Sequence, residues 1–513
     1  MRKKWKKILC VVLTCCMMVS ALAGCGGSSS SGSSSDASGE SDEIVEITCL
    51  FPILGSAPAD LEMVEEAVNE ITEAEIGVHV TFLTVSLSEA QSEVTRMVAA
   101  GEQVDVLPVL STYSYVNSGL LEPLDDLLEE YGQDITENLG VILEASAYQG
   151  NIYSLYSNTS YAQEYGAVFR KDILDKYGLS LEEGEVLDYE TLDSWFEIIK
   201  EGEGEAFYMN SMVGTGTETT LQSFCLVDQL GGSYYTGVFT DYDTDDYTIQ
   251  NFFETDVFEE YMYWMNKWYE AGYINPDSAT MSDSSNDLML SGNYLGYFGG
   301  AGIGKAEENT ASLDYEMVTY TFYDTASILA QNYSTGWAIS SSSEYKEASM
   351  KFLNLTWSNE ELVNLMTWGI EGVHYELTDE EGIIDYVEGA DSTSVSYAMP
   401  GATWVGNTDL AYRMYPTTSE IKEELSEFNE GIAAGSDEYN ISKAFGYVFD
   451  QSPVETEIAA LSDVYSEYKG VIFFGSQDPD EVIEELNEAL YAAGLSTVLE
   501  ENQRQLDEWL AAQ

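Results

Sequence analysis

The chain has 513 residues, and its 91 Asp+Glu against 19 Lys+Arg give a formal charge of −72. So few cations exclude nucleic-acid binding by counterion release, and an anionic lipid surface would repel the body. The chain is also 44% hydrophobic and 12% aromatic, enough apolar surface to offset the entropy of ordering, and it is long enough for more than one core.

Residues 1–24 read as a leader. Arg2, Lys3, Lys4, Lys6 and Lys7 precede an apolar run from Ile8 to Leu22, too short to cross a bilayer as a helix. Leu22-Ala23-Gly24-Cys25 resembles the bacterial lipobox, which implies a lipidated Cys25 as the mature N-terminus. Two or three acyl chains anchor stably where one does not. Residues 25–43 are the lipidated cysteine and a Gly/Ser-rich, then acidic, flexible tether. Removing the leader takes five cations and no acids, so the mature charge is −77. Of the cysteines, Cys49 and Cys225 remain in the body; both sit in apolar runs and read as buried free thiols.

The body alternates strands and helices. Val45–Phe51, Val78–Thr84 and Val104–Leu110 are β-prone, with helices over Ala59–Glu73, Ser88–Ala100 and Leu120–Tyr131. That succession implies parallel strands with crossover helices, and ligands of such sheets sit at the strands' carboxyl ends. Here those ends are Leu54–Ala57, Thr84–Ser86 and Ser111–Tyr115. A second α/β pattern starts near Tyr161, with helices over Asp188–Glu201, Thr219–Leu230 and Val257–Ala271. Strands recur over Tyr294–Gly299 and Gly336–Ser340, and the C-terminus is helical from Pro479.

Catalytic signatures are missing. The two histidines, His79 and His374, carry no triad or metal motif; no HExxH, Cys-x-x-Cys, Walker loop or nucleophile elbow occurs. No resident metal or cofactor is implied. Asp241-x-Asp243-x-Asp245 starts like a calcium loop, but Asp246 and Phe252 replace its glycine and its glutamate, so a solvated acidic turn is the plainer reading. The chain does have aromatics: 36 Tyr, 18 Phe and 9 Trp. Rings that stack on the C–H faces of sugars, beside carboxylates and amides for the hydroxyls, complement a carbohydrate.

Lipobox, tether and two-lobed α/β body together resemble the extracellular solute-binding lipoproteins of bacterial ABC importers. Met97–Val106, Asn117–Asp126, Gly150–Leu155 and Phe169–Gly178 are similar to that family's recurring segments, although Tyr156 stands where a proline is usual. Trp368–Tyr375, Trp404–Asn407, Phe445–Val454 and Gln503–Leu510 resemble a carbohydrate-type subfamily with a C-terminal domain of unassigned function. The resemblance implies a type II, periplasmic-binding-protein-like clamp of α/β class with hinge crossings. Its lobes would be 44–158 plus 284–330 and 159–283 plus 331–400, with 401–513 as a helical extension packed across them.

It implies a monomer on the extracellular face of the bacterial cytoplasmic membrane, held by its lipid anchor alone and delivering a small solute, a neutral sugar or oligosaccharide, to ABC permease subunits. The ligand-binding residues would be Ser111, Thr112, Tyr113, Asn158, Phe298, Trp368, Glu371, Trp404 and Asn407. Glu371 and its neighbours also fit a structural turn, and Gln503–Trp509 reads as packing. A peptide or other small solute, a surface glycosidase and a polysaccharide adhesin are the alternative functions.

Overall fold

The computed structural model describes residues 44–511 except 54–55, 87–88, 110–111, 146, 149, 158–161, 163, 183–184, 215–217, 241–245, 314, 329–335, 393, 400–405 and 437–438. The leader, Cys25, the tether and the Asp241–Asp245 turn lie outside the described residues.

Lobe one is built on a four-stranded sheet. Val45–Ile53 lies in parallel between Val78–Ser86 and Val106–Val109, and Gly336–Ile339 closes the other edge antiparallel to Val106–Val109. Alternation puts Ile47, Cys49, Val80, Val106 and Trp337 in one core layer and Leu50, Val85, Leu107, Val109 and Ala338 in the other. Helix Leu61–Ile76 covers the first layer and ends on Gly77 at φ +66°, the left-handed conformation glycine adopts at low cost. His79 lies in the edge strand, with Nδ1 2.6 Å from Glu73 Oε1.

Buried polar ties hold the layers together. Asp105, fully buried, accepts from the Thr48 amide at 2.8 Å, the Gln103 side chain at 2.8 Å and the Ser343 hydroxyl at 2.5 Å. Standing directly before Val106–Val109, it fastens that strand both to Val45–Ile53 and to the segment that follows Ile339. This is what the Asp of the Met97–Val106 segment does.

Lobe two has a three-stranded antiparallel sheet, with Tyr165–Arg170 between Gly296–Gly300 and Met317–Thr321. Its larger core joins Phe169, Phe196, Phe224, Trp268 and Phe298 with residues of the C-terminal helices, including Leu461, Leu486 and Leu506. Arg170 sits where the strand ends. It donates to Asp172 at 3.0 and 2.7 Å and to the Gly292 carbonyl at 3.1 Å, and it stacks on Tyr315.

The pairing corrects the expected partition. Phe298 pairs with Ala167 and Phe322 packs on the same core, so strands Gly296–Gly300 and Met317–Thr321 belong with lobe two; Ala326 packs on the core of lobe one and Trp337 pairs with Pro108, so strand Gly336–Ile339 belongs with lobe one. Ala411 and Ile432 also join the core of lobe one, whereas Ala444 to Leu506 join lobe two, so 401–513 is not one extension. Strand order along the chain does not say which sheet a strand enters; hydrogen-bond register does. The chain therefore crosses from one core to the other between Ala162 and Ala167, between Phe322 and Ala326, and between Ile441 and Ala444. Beside the last two passages Ser327–Ile328 and Asn440–Ile441 pair in parallel. Ser442 donates to buried Asp228, which pins the third crossing to lobe two.

Candidate ligand site at the lobe crossings

The carboxyl ends of the three parallel strands and the start of Gly336–Ile339 meet at one edge of lobe one, because Gly336 pairs with Val109. The segment before the first crossing joins the same edge: Leu155 and Trp337 exchange backbone bonds of 2.7 and 2.8 Å. This alignment sets Ser154 and Tyr156 beside Thr112, the first residue of helix Thr112–Asn117. The Thr112 hydroxyl lies 2.7 Å from that of Ser154 and 3.4 Å from that of Tyr156. All three are buried, and burial pushes the Tyr156 phenol pKa up, opposed by its contacts with Thr112 and Ser154. Tyr113, next in the helix, is half-buried.

Across the first crossing, Glu164 precedes the central strand of lobe two. Its carbonyl accepts from Ala301 at 2.8 Å. Burial raises its carboxyl pKa, partly offset by a hydrogen bond from the Ile303 amide. A Cβ at Gly302 would meet the Glu164 carboxylate, which would have to move aside, so the loop runs close against it. Tyr165 is half-buried beside Gly300 at the same end. The Tyr323 hydroxyl accepts from the Leu226 amide at 3.2 Å, and burial drives its pKa up. A hydroxyl cluster on one lobe and a carboxylate on the other thus bracket a short crossing segment. Hydroxyls and a carboxylate of this kind can exchange hydrogen bonds with a polyhydroxylated solute.

Of the anticipated ligand residues, Thr112 and Tyr113 stand at this edge, while Ser111, Asn158 and Trp404 lie outside the described residues. Phe298 is not a surface ring. It is 1% exposed, 4.7 Å from Phe224 and 5.9 Å from Phe169 between ring centroids, because its side chain faces the helices of lobe two.

Trp368 is a packing residue whose indole donates to the Tyr412 carbonyl at 2.9 Å. The element after it is a turn: Gly369 has φ +82°, and a Cβ there would strike the His374 ring. His374 Nδ1 accepts from the Ile370 amide at 2.8 Å, so the proton is assigned to Nε2, which donates to Asp60 Oδ2 at 3.3 Å. Glu371 is exposed on that turn. Asn407 is 7% exposed and caps Thr408–Leu410 by accepting from the Asp409 amide at 3.1 Å, while its side-chain amide donates to Asn138. These two motif elements are joints of lobe one.

Sequence reasoning missed Ser154, Tyr156 and Glu164. The available signal was the Tyr at the usual proline position, directly before the crossing.

A family model described as bacterial extracellular solute-binding protein matches residues 58–361. The chain belongs to that family. A second model, a domain of unknown function (DUF3502), matches 443–511, the helices that complete lobe two. The solute-binding chain is 26% identical over 518 residues to a carbohydrate ABC transporter substrate-binding protein of Streptococcus pneumoniae serotype 4, covering 99% of each. It is 23% identical to the polygalacturonan/rhamnogalacturonan-binding protein YtcQ of Bacillus subtilis, covering 84% of this chain and 86% of YtcQ. The N-glycan transport solute binding protein NgtS of Streptococcus pneumoniae superposes with a TM-score of 0.74 at 23% identity, over 91% of this chain and 99% of that one. The fold is the type II solute-binding clamp. Among the described residues no helix is long and apolar enough to cross a membrane.

Proposed function

We propose that this solute-binding protein captures a neutral oligosaccharide between its lobes and passes it to an ABC permease, and that lipidated Cys25 holds it on the cell surface. The observation that carries the reading is the Thr112–Ser154–Tyr156 hydroxyl cluster at the strand ends, one crossing away from the wrapped carboxylate of Glu164. Relatives support the solute class: NgtS has been crystallised with Man5GlcNAc and FusA with kestose. The charge of −72 opposes anionic solutes, which favours neutral saccharides.

A ligand touching both lobes shifts the pair towards its closed arrangement by its differential affinity for that state. The three crossings permit such a hinge. A melting screen of Man5GlcNAc, kestose, oligogalacturonides and short peptides tests the reading, since a ligand at a hundredfold its Kd adds about 2.7 kcal/mol to the folded state. The neutral saccharides should raise Tm; a rise with peptides alone would overturn the assignment. Secretion of a Cys25→Ala variant into the medium is the outcome expected for the anchor, and retention on the membrane would refute it.

A further inference from the structure

The domain of unknown function, residues 443–511, takes hold of one hairpin of lobe two. In that hairpin Asp228 pairs with Phe239 and Gln229 with Val238. Asn502, fully buried on helix Leu495–Leu510, donates its side-chain amide to the Leu230 carbonyl and, at 2.7 Å, to the Thr236 carbonyl. Its orientation follows from chemistry, because both neighbours of the amide nitrogen are oxygens that only accept. The Tyr447 hydroxyl donates to the Asn502 side-chain oxygen at 2.7 Å, and Gln451 donates to the Gly231 carbonyl at 2.8 Å. Buried carbonyls need donors, and these come from side chains 220 or more residues further along the chain.

Two of the three crossings stand on the same strip. The second begins beside Tyr323, whose hydroxyl accepts from the Leu226 amide at 3.2 Å. The third contains Ser442, 3% exposed, whose hydroxyl donates to the fully buried Asp228 and accepts from the Ala444 amide at 3.0 Å. On the side of lobe one the two crossings are tied to each other: Ser327–Ile328 pairs with Asn440–Ile441, and the Asn440 amide donates to the Ala326 carbonyl at 3.1 Å. Ala444 is buried in the core of lobe two and Phe445 packs on that of lobe one, so the domain starts where the cores share the chain. The strip 226–239 is thus bonded both to the two crossings and to the domain.

We propose that the domain of unknown function is a hinge clasp: by fixing this strip through Asn502 and Gln451 it sets the resting separation of the two lobes. A foothold able to shift would let both crossings lean, and the lobes would rest at a spread of separations. A fixed one holds a single separation, so less of the solute's binding energy goes into selecting the competent arrangement. Ser442 and Asn502 are positioning residues that act through the strip. That the lobes close on a sugar rests on the functional reading above, whereas the place at which the domain grips does not.

Distances between nitroxide labels on the whole mature chain test the clasp. Met63→Cys on helix Leu61–Ile76 marks lobe one and Ile198→Cys on helix Tyr189–Glu203 marks lobe two; both positions are exposed, and the native Cys49 and Cys225 are buried. Without sugar the labels should report one narrow distance, which Ser442→Ala and Asn502→Ala broaden. Ser442→Thr, which keeps the hydroxyl, should restore it. If a third of the molecules keep the wild-type separation, the apparent Kd for Man5GlcNAc or kestose rises about threefold. Gln451→Ala, at a half-buried side chain, takes the place of Asn502→Ala should that variant fail to fold. Wild-type distances in the Ser442 and Gln451 variants, with only Tm lowered, would overturn the clasp and leave the domain as packing. Broadened distances in the variants of a chain that no saccharide closes would keep the clasp and sink the sugar assignment.

Discussion

The sheet of lobe one is lined by Ile47, Val78, Val80, Val106 and Ile339, aliphatic side chains set by strict alternation on four strands, whereas that of lobe two is closed by Phe169, Phe196, Phe224, Trp268 and Phe298. The main sheet of lobe two has three short strands, which offer little area, so large rings from helices Tyr189–Glu203 and Asp256–Glu270 fill the space above them. Ring pairs such as Tyr189 on Trp264, stacked at 5.4 Å, are how that lobe holds together. An aromatic-rich composition therefore reports first on this core. Rings that could meet a solute are the half-buried minority at the lobe boundaries.

Phe298→Ala breaks the comparison most sharply. It should cost about 3–5 kcal/mol of stability, read as a lowered denaturant midpoint, while affinity per folded molecule stays unchanged. Weaker sugar binding at an unaltered midpoint would instead return Phe298 to the ligand site.

Lobe one should depend on polar ties as well as on apolar volume. Asp105→Ala leaves the Thr48 amide and the Ser343 hydroxyl without their buried acceptor, an expected loss of about 3 kcal/mol. A loss well under 1 kcal/mol would mean that water replaces the carboxylate.

The smallest effect is a pH slope in the part of the chain that returns to lobe one. Burial raises the Asp409 carboxyl to about 6 from a reference of 3.8, with Arg413 opposing the rise. Between those values the folded state holds more protons than the unfolded one, so this group's contribution to stability falls as pH rises and is level above the window. The melting difference between wild type and Asp409→Asn should change most across pH 4–6 and level off above about 7. A difference independent of pH would show that Asp409 titrates normally.

Much of the scaffold was legible. The Met97–Val106, Asn117–Asp126 and Phe169–Gly178 segments resemble family motifs, and the residues that stand out in them hold the scaffold together. Gly101 ends a helix at φ +69°, Asp105 ties segments, Asp125 accepts from the Ile152 amide, and Arg170 grips Asp172. The Trp368–Tyr375 and Trp404–Asn407 elements belong to the same class as far as they are described. Gly406 lets the chain pass close to the Trp357 ring, where a Cβ would lie 2.7 Å away. A motif's recurrence in a family marks geometry that a joint cannot change, and a ligand contact is free to vary with the solute. Of the motif residues, Trp368 and Asn407 are held by bonds within lobe one, whereas Tyr156, which departs from the motif, stands in the candidate site.

The sequence by itself determined the leader-like segment, the acidic surface, the α/β class and the helices and strands of lobe one. Those features depend on composition and on periods of two and 3.6, which are local. Only the tertiary structure decided that Gly296–Gly300 and Met317–Thr321 complete the sheet of lobe two, that Phe298 is core, that the helices from Glu455 onward belong to one lobe, and that Thr112, Ser154 and Tyr156 share an edge. Each of these rests on pairing register or on contacts between distant residues, and those depend on which alternatives bury the most surface and leave the fewest polar groups unpaired. No local pattern carries that information.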